Sequence, residues 1–531
     1  MNNSDQPIYR FSEAPIWELQ RAYFEEQGIE AWQNDEVPQY ITNNPVIASA
    51  YAEIIFGFLQ DRARLGGISE EPITILELGA GSGRLAFQVL TALCELIDFA
   101  GMELPPFRYI MSDLPVKNIA YWQQHERLQP FVQQGILDFA KFDAVRDTEL
   151  RLTESSVTIK QADLKEPLLL VANYFFDSIP QELIYVDEGH TFECKVSFAV
   201  PAAEEDGRDV SDMLVSIEPE YHYRRAAEYE EQSYPYRNVI ELYKQQLEDS
   251  HILFPEIGMD CLERLGRLSQ AGFVLLTADK GDHRMENWAF AEPPELIHHG
   301  SFSLTANYHA IQHVFEQKGA LSYFTNHHYK NLNVGCIIML EKPATYANTR
   351  LAYRRFVERF GPDDFFSLKL WFDEHLESLE LYSILPFWRL SRYDAQLFIQ
   401  SAERIQSLLP DSSDEEADDL RRGMQMMWAS YYPMNEQHHL ALACGSLLYE
   451  LELYADARLY LERSMEAGKT NADALYKLAI CCYEEGEEPE ALQYAHQVLA
   501  MEPEHEEAKS LLTAINRRSS LFQCSSHVEL A

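Results

Sequence analysis

Apolar positions recur at helical spacing in IASAYAEIIFGFL (47–59), and the Asn44-Pro45 pair ahead of it is a helix start signal. From residue 73 the pattern changes. ITILELG (73–79) is a short apolar run ended by glycine, and Arg84 to Ile97 returns to helical periodicity. That reads as a strand, a tight Gly-rich turn and a helix. The alternation continues with predicted strands at RYIMSD (108–113), FAKFDAV (139–145), LLLVAN (168–173), FVLLTAD (273–279), LSYFTNH (321–327) and VGCIIMLE (334–341). Helices are predicted from Pro115 to Arg127 and from Tyr308 to Lys318. Too few residues join the last two strands for a crossover helix, so they should pair as an antiparallel hairpin. The rest implies a parallel sheet with helices on both faces.

About 90 residues separate the fourth and fifth strands, far more than an ordinary connection. The insertion, placed at about 187–270, should sit over the carboxyl ends of the strands, where open α/β sheets bind ligands. Its segment Tyr221 to Gln246 is rich in Tyr, Glu and Arg, with some helical character. A substrate-covering lid and a decorative helical insertion both fit. After 345 strands give way to helical patterns, aromatic-rich over 350–410, and DSSDEEADD (411–419) reads as an exposed loop or helix start. A 34-residue period follows, with Ala457 matching Ala491, Gly445 matching Ala479 and Leu461 matching Ala495, and Pro503 closing the second unit. Small residues at that spacing let paired helices pack closely, as tetratricopeptide repeats do. The expected layout is a first domain over 1–345 with a helical segment at 1–70, a helical linker over 346–420, and repeats over 421–520.

Composition narrows the partners. A net charge of −42 repels phosphate backbones and anionic lipid, so neither nucleic acid nor a membrane is expected, and a basic peptide or protein is the better match. No apolar run is long enough to span a bilayer. The eight cysteines show no CxxC pair and no regular framework, which reads as reduced thiols in a soluble, cytoplasmic protein. No metal site is expected. The histidine pairs 298–299, 327–328 and 438–439 read as solvated loop residues, because adjacent residues rarely share one ligand face.

The chemistry concentrates after the first strand. Glu77-Leu78-Gly79-Ala80-Gly81-Ser82-Gly83 is an E-x-G-x-G-x-G loop between a strand and a helix. Gly79, Gly81 and Gly83 let backbone approach a ligand, and the following helix start favours a carboxylate. Glu77, just before the first glycine, can hold the cationic methionine end of S-adenosyl-L-methionine. Asp113, ending the second strand, can accept both ribose hydroxyls, as the acid of a dinucleotide site does, so these two features alone also admit NAD. Asp143 is suited to the adenine amino group or to a plain turn. The fourth strand ends in Asn173-Tyr174-Phe175-Phe176-Asp177-Ser178-Ile179-Pro180, where Asn173 and Asp177 are candidates to orient a methyl acceptor. Thr42 and Asn44 are fallback candidates, since the N-terminal segment can fold over the same cleft.

These motifs resemble the MidA/NDUFAF7-like (DUF185) methyltransferases. YITNNPVIASAYAEII (40–55), ELGAGSGRLA, NYFFDSIP, LTADKG (276–281) and GSFSLTANYHAI (300–311) fall in the family's order across roughly residues 10–345. The resemblance implies the α/β class I methyltransferase fold, a Rossmann-like seven-stranded sheet, here followed by an all-α tetratricopeptide-like tail. It further implies an S-adenosyl-L-methionine cofactor and a protein nitrogen as acceptor, arginine first, with the repeats docking a protein partner. The chain departs from the family at Tyr174, Lys280, Ser303 and Asn307, which stand where the family has Glu, Tyr, Asp and His. The cofactor half is thus kept more closely than the acceptor half. Two rivals follow, a non-catalytic scaffold with a relic sheet domain and an NAD(P)-dependent oxidoreductase; the final antiparallel hairpin and the acid before the glycines weigh against the latter.

Overall fold

A computed structural model describes residues 7–33, 37–67, 69–198, 214, 217, 219–326, 332–434, 437–466 and 471–526. The chain forms two compact units, Met1–Leu368 and Lys369–Ala531. In the first, seven strands make the central sheet: β1 (Ile73–Leu78), β2 (Phe107–Asp113), β3 (Leu137–Lys141), β4 (Leu168–Asn173), β5 (Gly272–Asp279), β6 (Leu321–Phe324) and β7 (Asn333–Leu340). They pair in the order β6-β7-β5-β4-β1-β2-β3. β7 runs antiparallel to both its neighbours, and the other pairs are parallel. This is the expected class I methyltransferase arrangement. Every residue of β1 is buried, because a central parallel strand has helices over both faces. The strand order reverses between β1 and β4, which opens a crevice at their carboxyl ends.

Helix α1 (Pro15–Gln27) and helix α2 (Pro45–Gly66) precede the sheet. The Asn44 side chain caps α2 by accepting from the Val46 and Ile47 amides, with Pro45 in the first turn. Helix α3 (Arg84–Ala100) begins after Gly83, whose φ of 81° is the left-handed conformation glycine tolerates. A side chain at Gly83 would meet Met111 Cε at 2.7 Å, so this glycine serves close helix–sheet packing.

Two details differ from the sequence reading. β3 covers 137–141 rather than 139–145, because at Asp143 the chain turns, its carboxylate accepting the Val145 amide at 3.0 Å. The insertion is built on a four-stranded antiparallel sheet, ordered Ser250–Phe254, Glu182–Asp187, His190–Phe198, Pro219–Arg225, with a helix over Arg237–Gln246. The segment expected to have helical character therefore begins in an edge strand, Pro219–Arg225, and its latter part, Arg237–Gln246, is the helix.

In the second unit, α4 (Gln437–Glu450), α5 (Tyr454–Glu466), α6 (Ala472–Glu485), α7 (Glu488–Met501) and α8 (Glu506–Ser526) stack in sequence. A side chain at Gly445 would meet Leu461 Cγ at 2.6 Å, and Ala457, Ala479, Ala491 and Ala495 are fully buried, so the small residues do set the helix spacing. The acidic stretch starts the helix Asp414–Ser430, with Ser413 and Glu416 forming a capping box. Among the described residues, no helix is long and apolar enough to cross a membrane.

The helix Ala347–Tyr353 packs on α2 through Asp61, which is fully buried and accepts from the Thr349 amide at 2.9 Å and its hydroxyl at 3.0 Å. A chain ending at Leu368 is expected to unfold cooperatively at the temperature of the first unit in the full protein. One ending at Thr345 lacks this helix and its donors to Asp61 and should lose about 2–4 kcal/mol, read by chemical denaturation.

Candidate active site

The crevice holds a cavity of about 600 Å³. At one end lies the glycine loop. Gly79 and Gly81 line the cavity with φ of 65° and 52°, values that keep the loop backbone tight against the sheet. Asp113, ending β2, accepts from the Gly81 amide at 2.9 Å, the Asn118 amide group at 3.0 Å and the Leu114 amide at 2.7 Å. Burial raises its pKa against the pull of these donors. Glu77 is 3 % exposed and accepts from the Tyr109 hydroxyl at 3.0 Å. Burial pushes its carboxyl up to about 8, with Tyr109 opposing and Asp113 adding to the rise. Among the described residues it forms no ion pair. A buried acid that lines the cavity and meets no basic side chain suits the ammonium of S-adenosyl-L-methionine, so the residues present fit that cofactor.

Asp143 also lines the cavity, but both its oxygens are engaged, one by Arg21 Nη2 at 2.6 Å and the other by the Val145 amide. Burial would raise its pKa, yet the Arg21 hydrogen bond and charge outweigh it and the net shift is downward. Gly83 faces Met111 and Trp122 instead of the cavity.

The other end is built from the β4 and β5 termini. Asn173 is fixed from both sides: the Tyr51 hydroxyl donates to its carbonyl oxygen at 2.7 Å, and its amide donates to the Thr42 carbonyl at 3.0 Å. Tyr174 takes a left-handed φ of 49°, a conformation costly for a non-glycine residue and concentrated at functional sites. Asp177 is 3 % exposed and accepts from the Ser178 hydroxyl at 2.8 Å. Burial raises its pKa, partly offset by Ser178 and by the Lys280 charge. Fully buried Asp279, held by the Phe175 amide at 2.8 Å and the Tyr308 hydroxyl at 2.6 Å, is raised well above the carboxylate range by burial and by the Asp177 charge. Lys280 and Ser303 line the same cavity. Asn307 does not; it caps the helix Tyr308–Gln317 and bonds the Leu253 carbonyl.

The cover over this crevice is the N-terminal segment, which lines the cavity from Ser12 to Asn43; the insertion between β4 and β5 reaches it at Ile257 and with the residues that follow Asp177. Thr42 is in the lining, while Asn44 is spent on capping α2. The Asn43 amide donates to Ser82 Oγ at 3.1 Å, and the Ser82 hydroxyl donates to Gln39 at 3.1 Å, tying the segment to the glycine loop. Farther back, Ser12 donates to Glu182 at 2.6 Å and Arg10 bridges Glu182 and Glu193 at 2.9 and 3.1 Å.

Two of the three histidine pairs were misread as loop residues, and one of them, 438–439, falls in the helix Gln437–Glu450. His298 and His299 are not loop residues; they sit half-buried in the hairpin Ile297–His299 and Ser301–Ser303, and His299 lines the cavity with Nδ1 lacking a partner. Burial lowers the pKa of both. The pair 327–328 lies outside the described residues. Among the described residues, no cluster of three or more His, Cys, Asp or Glu could hold a metal ion.

A family model described as "Putative S-adenosyl-L-methionine-dependent methyltransferase" matches residues 58–333, more than half of the chain, and the chain belongs to that family. It is an S-adenosyl-L-methionine-dependent methyltransferase by class. A tetratricopeptide repeat model matches residues 448–515. No curated protein matches the chain. Two crystal structures from Burkholderia thailandensis are weakly similar. One is an uncharacterized COG1565 superfamily protein, 14 % identical, covering 62 % of this chain and 87 % of its own, with a TM-score of 0.38. The other is a COG1565 superfamily member bound to S-adenosyl-homocysteine, 14 % identical, covering 62 % and 88 %, with a TM-score of 0.39.

Glu77 makes a stability prediction for the protein without cofactor. Its folded-state pKa, about 8, lies above the ordinary 4.5, so the fold holds a proton that the unfolded chain releases. That stabilisation is complete below pH 4.5 and is lost as pH rises through 8. Glu77→Gln should flatten this slope and leave the protein more stable than the parent at pH 8 by on the order of 2 kcal/mol, measured by denaturant titration across pH.

Proposed function

We propose that this methyltransferase acts on a nitrogen of a basic protein segment, with arginine the first candidate by family resemblance and another nitrogen second. The observation that carries the reading is the single cavity shared by two sets of groups, Glu77 and Asp113 at one end and Asn173 and Asp177 at the other. In this reading Glu77 pairs with the cationic methionine end, the backbone at Gly79 and Gly81 receives the carboxylate side, and Asp113 takes the ribose. Asp143 and its Arg21 partner border the adenine. Asn173 and Asp177 orient the acceptor nitrogen, whose lone pair must point in line at the sulfonium methyl.

A cationic acceptor is supported by the overall charge of −42 and by Glu13 and Glu18, which are exposed, line the cavity and form no ion pair among the described residues. The acids of the insertion contribute less than their sequence suggests. Glu228 is paired with Arg224 and Glu230 with Lys244, and neither these nor Glu231 lines the cavity. The tail unit, with its tetratricopeptide helices, would dock a protein partner and raise the local concentration of an attached acceptor. The described cysteines are all free thiols, in keeping with a reducing, cytoplasmic setting.

Asp177→Asn should cut methyl transfer by about 10²-fold or more while leaving S-adenosyl-homocysteine affinity within about 2-fold, because the change touches proton handling at the acceptor end alone. Asp113→Ala should weaken that affinity by about 1.5–3 kcal/mol. Incubation of full-length protein with methyl-labelled cofactor and basic peptides, followed by mass spectrometry, tests the acceptor. Transfer to a basic peptide that slows as salt rises supports the reading; transfer confined to free small molecules and insensitive to salt overturns it.

A further inference from the structure

More than a third of the residues lining the cavity lie ahead of the stretch that the family model matches. The part of this wall nearest the glycine loop is aromatic. Trp32 lies against Gly81 so closely that a side chain there would meet indole Cε2 and Cζ2 at 3.1 Å. Phe24 stacks on Trp32, with ring centres 5.8 Å apart and planes 21° apart. Both rings are half-buried, and both line the cavity. Their position is fixed at each end. Arg21, one turn before Phe24 on α1, is clamped to Asp143 at 2.6 Å, and Gln39 donates to the Trp32 carbonyl at 3.1 Å while accepting from Ser82. The stacked pair therefore spans the gap between Gly81, beside Asp113, and Asp143. That gap is where the site assignments above put the adenosine half of the cofactor. Apolar groups, among them Leu114 and Phe142, also line the cavity.

We propose that Trp32, backed by Phe24, is the aromatic roof that binds the nucleoside of S-adenosyl-L-methionine, so that the N-terminal segment is part of the cofactor site. The physical ground is that a purine gains from burial between apolar groups and from stacking on an indole face, and neither gain depends on charge. Glu77 recognises the cationic methionine end. Trp32 recognises the part that a nucleoside without that end still carries. Asp143 is then a strut: held by Arg21, it sets the height of the roof.

The proposal rests on the cofactor assignment, and two ligands separate it from that assignment. Full-length protein and its W32A, W32F and E77Q variants are titrated calorimetrically with S-adenosyl-homocysteine and with 5′-methylthioadenosine, which lacks the amino-acid end. W32A should weaken both ligands by on the order of 10-fold, W32F should restore most of the loss, and E77Q should weaken S-adenosyl-homocysteine alone. Tryptophan emission should be quenched on binding in the parent and much less in W32F, a readout that survives if W32A fails to fold. W32A protein that binds both ligands like the parent, or quenching unchanged in W32F, overturns the roof. A parent protein that binds neither ligand overturns the cofactor site itself, and the roof with it.

Discussion

Glu77 sits at the carboxyl end of the central strand, buried, hydrogen-bonded by Tyr109 and without an ion pair among the described residues. A carboxylate in that position costs the fold free energy unless it holds a proton or meets a cation. The surrounding architecture is arranged around this one group. β1 carries it to the crevice where the strand order reverses, the glycine loop wraps past it, and Asp113 ties that loop to β2 through the Gly81 amide. In the proposed reading the cofactor would supply the missing positive charge, so that binding and local electrostatic relief would be the same event.

The sheet provides the floor of the site and the N-terminal segment its cover. The polar ties between them are few and local: Asn173 to Thr42, Asn43 and Gln39 to Ser82, and Arg21 to Asp143. Thr42 and Asn43 belong to the 40–55 segment that the sequence also marks, whereas Gln39 and Arg21 carry no recognisable motif. The acceptor end follows the same logic. Tyr51, deep in α2, sets the Asn173 amide, and Tyr308 with the Phe175 amide sets Asp279, so that Asp177 shares its buried surroundings with a second acid. Groups far apart in sequence thereby hold this end of the cavity in place.

What the sequence revealed and what it hid follow from these contacts. Strands β1, β2, β4 and β5 were legible because parallel strands covered on both faces must be continuously apolar, and β7, though antiparallel, is buried along almost its whole length and reads the same way. The hairpin of Glu182–Asp187 and His190–Phe198 was not seen, although Glu188 and Gly189, with φ of 47° and 71°, form the left-handed pair of a tight turn. Its buried Glu182 and Glu193 break the apolar alternation, and they are tolerated through Arg10. Asp143 was read either as an adenine contact or as a plain turn residue; it stands at a turn, and its ion-pair partner, Arg21, lies 122 residues earlier, beyond the reach of any local pattern. Trp32 and His299 carried no motif at all; only tertiary contact brings them to the cavity. The repeat was legible because its signal is a period, which survives loss of individual residues.

On this reading Glu77 gives up its proton to receive the cationic end of the cofactor. Calorimetric titration of the full protein with S-adenosyl-homocysteine at pH 7, in buffers of different ionisation enthalpy, reads that proton directly. Release of close to one proton per ligand bound is expected in the parent and close to none in Glu77→Gln. Tight binding with no proton released by the parent, or with the same release from both proteins, would contradict it.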